Sequence, residues 1–104
     1  MTNISIRVII KSNGDVEQFN PNKIYNAINK ARLETNEFEQ DEIETVVKET
    51  IKLINTKHNP RNDLTVEEIQ DYVEEALMLL NKVKTAKAYI LYRAEKAKQR
   101  KRGE

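Results

Sequence analysis

Apolar and polar residues alternate at the start of the chain. Ile4, Ile6, Val8 and Ile10 recur every second position, the period of a half-buried strand. Asn13-Gly14 breaks the run, and both residues tolerate positive φ, which makes the pair a strong hairpin signal. Asp15 to Phe19 then reads as a returning strand. Asn20 suits a helix N-cap and Pro21 the first helical position, where no N–H is needed. A two-residue loop would pair Lys11 with Val16 and mix Val8, Ile10, Glu17 and Phe19 on one face. A three-residue loop, Ser12-Asn13-Gly14 with Gly14 left-handed, pairs Ile9 with Glu17. It gathers Ile6, Val8, Ile10 and Val16 on one face, and the apolar pattern favours it. The other face then carries Arg7, Ile9, Lys11, Asp15, Glu17 and Phe19.

Beyond the hairpin the period changes to that of helices. Ile24, Ala27, Ile28 and Ala31 form one stripe, predicting a helix from Pro21 to about Arg32. Ile43, Val46 or Val47, Ile51 and Ile54 predict a second from about Gln40 to Thr56, its acidic start and basic end matching the helix dipole. Asn55 to Asp63 reads as a loop, and Leu64-Thr65 as a short third strand or a simple lead-in. Thr65-Val66-Glu67-Glu68 fits a capping box, with Leu64 and Ile69 as its hydrophobic staple. Ile69, Tyr72, Val73, Ala76, Leu77 and Leu80 carry that third helix to about Asn81. A Lys82-Val83-Lys84 link and a Thr85 cap then open a last, antiparallel helix, with Ala86, Tyr89, Ile90 and Arg93 on one face. Tyr89 is expected in the core, and Tyr92 either in the core or beside a ligand. The expected fold is α+β: a small N-terminal β-hairpin, possibly three short strands in all, capping a bundle of about four α-helices. It is a single domain over 1–104, with a core from about 4 to 97 and a basic tail from about 98 to 104.

Composition narrows the chemistry. The chain has 104 residues and no Cys, so disulfides, thiol nucleophiles and zinc ribbons are excluded. No apolar run approaches the ~20 residues of a membrane span, and no signal-peptide pattern is present, so a cytoplasmic setting is expected. A net charge of +1 offers no global attraction for nucleic acid. The basic run Lys96 to Arg102 reads as a solvated helix end, and the acidic stretch Glu34 to Glu49 as a wet face without a metal site. His58 is the one histidine, placed in a loop, so a Ser-His-Asp set is excluded; two glycines are too few for a Walker loop. Binding without turnover is the expectation. Lys11, Lys23 and Arg93 are candidate phosphate contacts, helped by the free amides that open the first helix. Glu17 can accept from an exocyclic amine, which suits adenine, and Asn20 can donate and accept.

Three segments also carry a family resemblance. The first runs from Val8 to Ile24 and reads Val-Ile-x-Lys-x-x-Gly-x-Val-Glu-x-Phe-x-x-x-Lys-Ile. The second is Leu64 to Glu74 and the third Ala86 to Arg93. In this order, over almost the whole chain, they resemble the ATP-cone domain found at the N-terminus of ribonucleotide reductases and in their transcriptional repressors. The resemblance implies a hairpin lid over four helices that binds ATP or dATP, with or without Mg2+, as an allosteric ligand. It implies no catalysis by the domain itself. In the reductases ATP keeps the enzyme active, and dATP drives an inhibited oligomer through contacts of the cone.

Carried over by position, the resemblance assigns nucleotide contacts residue by residue. Lys11, with Ile9 and Ser12 beside it, faces the triphosphate. Glu17 and Asn20 read the adenine. Lys23 and Ile24 line the base and sugar pocket, and Val66, Ile69 and Gln70 touch base or ribose. A basic group on the last helix, Arg93 or Lys96, completes the phosphate site. Ser12 departs from the pattern, since the family usually has a basic residue there. Its absence removes a charged phosphate contact worth about 1.5–3 kcal/mol. The implied partners are an adenine nucleotide and a reductase catalytic or radical-generating subunit, in cis or trans, with a nucleotide-dependent homo-oligomer as an option; no membrane is implied. The chain is expected to be either an excised regulatory domain or a stand-alone cone acting in trans. The alternatives are a helical protein-interaction module with a degenerate site and, less favoured by charge, a nucleic-acid binder using Lys96 to Arg102.

Overall fold

The computed structural model describes residues 8–10, 14–59 and 61–102. Strands β1 (Val8–Ile10) and β2 (Val16–Gln18) lead into helix α1 (Pro21–Thr35). A single 3-10 turn, Gln40–Glu42, opens α2 (Ile43–Lys57), and β3 (Leu64–Thr65) runs directly into α3 (Val66–Leu79). Helix α4 (Val83–Arg102) closes the chain. The fold is the expected α+β arrangement of a hairpin and a four-helix bundle, and the third strand is present.

The hairpin adopts the three-residue register, with Ile9 opposite Glu17 and Ile10 opposite Val16. Gly14 takes a φ of 91°, which a side chain would resist. β1 is the central strand of the sheet. Its other edge pairs in parallel with β3, Ile9 opposite Leu64 and Ile10 opposite Thr65. Thr65 therefore ends a strand and caps a helix at once. Its Oγ1 accepts from the Glu68 amide at 3.1 Å, and Glu68 Oε1 accepts from the Thr65 amide at 3.0 Å, the reciprocal capping box. Leu64 before the cap is fully buried, and Ile69 lies in the same core.

The helices enclose one core. Ile24, Ile28 and Ala31 of α1 meet Ile43, Val46, Val47, Ile51 and Ile54 of α2, Val73, Ala76 and Leu77 of α3, and Ala86 and Tyr89 of α4. α1 packs on α4 and α2, and α3 packs on α2 and α4, so the bundle closes on itself. Phe38, from the link between α1 and α2, also enters the core and carries the Lys82 ammonium 4.8 Å from its ring centre. His58 follows α2 in the loop, yet its ring is buried. Its Nε2 lies 3.0 Å from the Asn62 carbonyl and its Nδ1 3.3 Å from the Glu68 carboxylate, so its partners are structural.

The start of α4 departs from expectation. Thr85 is not the cap, and Lys82-Val83-Lys84 is not the link: α3 stops at Leu79, Asn81 turns with a φ of 61°, and α4 begins at Val83. The cap comes from another part of the chain. Glu37 accepts from the Thr85 amide at 2.8 Å and the Lys84 amide at 3.2 Å, while the buried Thr85 hydroxyl meets that of Thr35 at 2.8 Å. Partial burial pushes the Glu37 carboxyl up, but its hydrogen bonds to Thr85 and Lys84 outweigh that and hold it below its ordinary value. Removing this cap by Glu37→Ala should lower the unfolding free energy by about 0.5–2 kcal/mol, read by urea titration at pH 7. Because the folded-state pKa is depressed, the cap stabilises fully above the ordinary value of 4.5 and its contribution fades as pH falls below it. Wild type and variant should therefore converge in stability in acid.

Candidate functional site

The site is built where the sheet meets the bundle. Along β2 the side chains alternate: Val16 is 58% exposed and Gln18 also faces solvent, while Glu17 is half-buried and Phe19 packs against the core. Glu17 therefore lies on the inward face. Asn20 caps α1, its Oδ1 accepting from the Asn22 amide at 3.0 Å, and this sets the first helical turn beside the strand. One turn in, the Lys23 ammonium donates to Glu17 Oε2 at 2.8 Å. Lys23 is largely exposed, so this ion pair is worth about 0–1 kcal/mol and is easily exchanged for contacts with a ligand. Ile24, the next residue, is buried in the core beneath.

The parallel β1–β3 pairing brings a second wall to the same region. Strands in a sheet lie about 4.8 Å apart, so β2 and β3, flanking β1, are roughly 10 Å from each other. The chain leaves β3 directly into α3, whose first turns present Val66, Ile69 and Gln70 on one face. Val66 and Gln70 are half-buried and Ile69 is buried. Of the remaining sequence-predicted residues, Lys11 and Ser12 lie outside the described residues, and Ile9 is placed by its backbone in β1.

The two basic candidates on α4 have different surroundings. Arg93 faces α3 and donates to Asp71 at 2.8 Å and to Glu74 at 2.5 Å. Burial alone would lower its pKa, but the two carboxylates reverse that and raise it. Its guanidinium is thus committed to holding α4 on α3. Lys96 instead places its ammonium 5.7 Å from the centre of the Tyr92 ring. Tyr89, one turn before Arg93, is a buried core residue whose hydroxyl pKa burial pushes up. Tyr92 is half-buried and also accepts a hydrogen bond from Lys30 of α1 at 3.4 Å.

Sequence reasoning missed Lys30, Asp71, Glu74 and Glu37. The one local hint for Lys30 is its spacing of seven from Lys23, which puts both on one face of α1. Among the described residues, no group of three or more His, Asp or Glu side chains is placed to hold a metal ion. Nor is any helix among them long and apolar enough to cross a membrane.

The described residues form a short sheet docked on four helices, with half-buried Glu17 paired to exposed Lys23 beside the N-terminus of α1. Residues 7–98 match the model of the ATP cone domain, and the chain belongs to that family. ATP cone domains are nucleotide-binding allosteric regulatory modules with no catalytic activity of their own, and they take ATP or dATP. Among curated proteins none matches the chain.

The clamp on α4 can be separated from binding. Arg93→Met should cost about 1–3 kcal/mol of stability, because two carboxylates lose their charged donor. Lys96→Met should leave stability unchanged. Urea unfolding of the two variants in parallel checks the contrast.

Proposed function

We propose that the chain senses adenine nucleotides, holding ATP or dATP between the inner face of the hairpin, the first turn of α3 and the α1–α4 side of the bundle. The observation that carries this reading is half-buried Glu17, paired with Lys23 beside the start of α1 and joined to α3 through β1 and β3. Glu17 offers a carboxylate to the exocyclic amine of adenine, and Asn20 a neighbouring amide. Lys23 and Ile24 border the base and sugar, with Val66, Ile69 and Gln70 opposite. Lys11 and Ser12, which follow Ile9 in the sequence and lie outside the described residues, we assign to the phosphates. On α4 we assign that role to Lys96 rather than Arg93, whose charge is already matched by Asp71 and Glu74.

In this reading the chain acts in the cytoplasm on a ribonucleotide reductase subunit, catalytic or radical-generating, in cis or in trans. Mg2+ would accompany the phosphates as part of the ligand. The partner reads the nucleotide-bound state of the module. Met78, Leu79 and Val83, exposed together at the α3–α4 corner, supply an apolar surface for such a partner or for a second copy of the chain. That surface also supports the second reading, an interaction module with a degenerate nucleotide site. Light scattering with and without dATP separates the two, since only the first makes assembly depend on nucleotide.

Calorimetric titration with ATP, dATP and GTP tests the proposal. Guanine presents a carbonyl where adenine presents its amine, so a carboxylate at Glu17 should favour ATP and dATP over GTP. Glu17→Ala should weaken ATP binding by about tenfold, the worth of one charge-assisted hydrogen bond. Glu17→Gln, which can donate as well as accept, should narrow the gap between ATP and GTP. No heat with any of the three nucleotides would refute the reading.

A further inference from the structure

The buried ring of His58 sits between two acceptors. Its side chain is 4% exposed, its Nδ1 lies 3.3 Å from Glu68 Oε2, and its Nε2 lies 3.0 Å from the Asn62 carbonyl oxygen. A carbonyl oxygen and an ionised carboxylate can only accept, so each calls for an N–H. Neutral imidazole has one. With the proton on Nε2, the Nδ1 lone pair stands against the carboxylate. With the proton on Nδ1, the Asn62 carbonyl loses its donor. Imidazolium, with an N–H on each nitrogen, meets both acceptors, and an acceptor left facing a lone pair in a buried site is costly.

Glu68 divides its oxygens between two tasks. Oε1 accepts from the Thr65 amide at 3.0 Å and from the Thr65 hydroxyl at 3.1 Å, whereas Oε2 faces the ring. Thr65 is in turn paired with Ile10 of β1. A line of contacts therefore runs from the loop after α2, through His58, Glu68 and Thr65, to the central strand. It ends where Val66, Ile69 and Gln70 open α3, the wall opposite Glu17. Other charged or titratable groups surround this corner. On α2, Lys57 is paired with Glu75 of α3. On α3, half-buried Tyr72 lies one turn beyond Glu68 and feels its charge. In the loop, Arg61 and Asp63 are exposed. Among the described residues the ion-pair partner of the ring is Glu68.

We infer that His58, protonated on both nitrogens, is a positioning residue for the nucleotide site: it ties the loop between α2 and β3 to the cap of α3, and so holds the α3 wall against the hairpin. The inference rests on the nucleotide reading and extends it to a residue outside the ligand contacts. It also makes that wall sensitive to protons. The tie is present while the ring holds both protons and Glu68 is ionised. It is lost as pH rises and Nδ1 gives up its proton. The competing explanation is a neutral ring that merely fills space beside Glu68.

Nitrogen-15 NMR of the imidazole in the full chain at neutral pH tests the protonation directly. Both ring nitrogens of the wild type should carry a proton. In Glu68→Gln the side-chain amide can accept from Thr65 and donate to Nδ1, so the ring should be neutral with its proton on Nε2. A neutral ring in the wild type overturns the inference. Calorimetry with ATP reads the positioning role. His58→Phe keeps a ring without N–H groups and should weaken ATP about fivefold. The ratio of ATP affinities, wild type to Glu68→Gln, should fall as pH rises from mild acid to mild alkali, since the ionisation of ATP is common to both and cancels. A ratio flat in pH, or unchanged ATP affinity in His58→Phe, overturns the role; if His58→Phe does not fold, the ratio decides. If the wild type binds no nucleotide, the broader reading fails, and hydrogen exchange at the Thr65 amide decides the tie by itself. Protection that falls with pH in the wild type and not in Glu68→Gln keeps it, and the same profile in both sinks it.

Discussion

Two residues of parallel pairing hold the hairpin to the bundle. Leu64 and Thr65 lie beside Ile9 and Ile10, and the same two residues end a strand, fill the core and cap α3. A two-stranded hairpin is marginal alone in water, so this third strand is what gives β1 and β2 a fixed position. The capping box on Thr65 then fixes α3 relative to the strand. The inward faces of β2 and α3 are set against each other by a handful of backbone and side-chain bonds. Were the pairing to slip by one residue, Glu17 and Phe19 would turn to solvent and no inward-facing site would remain.

The rest of the bundle serves as the foundation for that junction. α1 is tied to the strand layer by the Asn20 cap and the Glu17–Lys23 pair, and to α4 by Thr35 with Thr85. α4 is tied to α3 by Arg93 and to the α1–α2 link by Glu37. Charge is divided between the ends. Exposed Glu34, Glu39, Asp41 and Glu44 cluster around the link between α1 and α2, whereas Lys96 and Lys98 lie near the far end of α4. The phosphate contacts proposed for Lys96 lie toward that basic side, where the field would favour an anion's approach.

Local rules made much of this legible in the sequence. The hairpin register follows from Asn13-Gly14, although the face expected to be apolar turns Val16 to solvent and Glu17 inward. The capping box follows from Thr65 and Glu68, and the buried stripes of α1, α2 and α3 from their periodicity. What was hidden depends on partners far apart in the chain. The start of α4 is capped by Glu37, so Thr85, a good cap by type, was given a role that a distant carboxylate fills. Phe38 sits between polar residues and gave no periodic signal. Lys30 and Tyr92 are separated by 62 positions, and only the antiparallel packing of α1 and α4 brings them together. Arg93 looks like a phosphate candidate in sequence because only the fold sets Asp71 and Glu74 opposite it.

In the proposed binding mode one ligand bridges the hairpin, the first turn of α3 and the α1–α4 seam. Amide-resolved NMR of the nitrogen-15-labelled chain during titration with ATP tests it most directly. Shifts should concentrate at Glu17 to Ile24, at Val66 to Gln70, and on the α1–α4 seam around Lys96, with Glu39 to Glu44 unmoved. Shifts confined to the Leu79–Val83 corner, or none at saturating ATP, would contradict it.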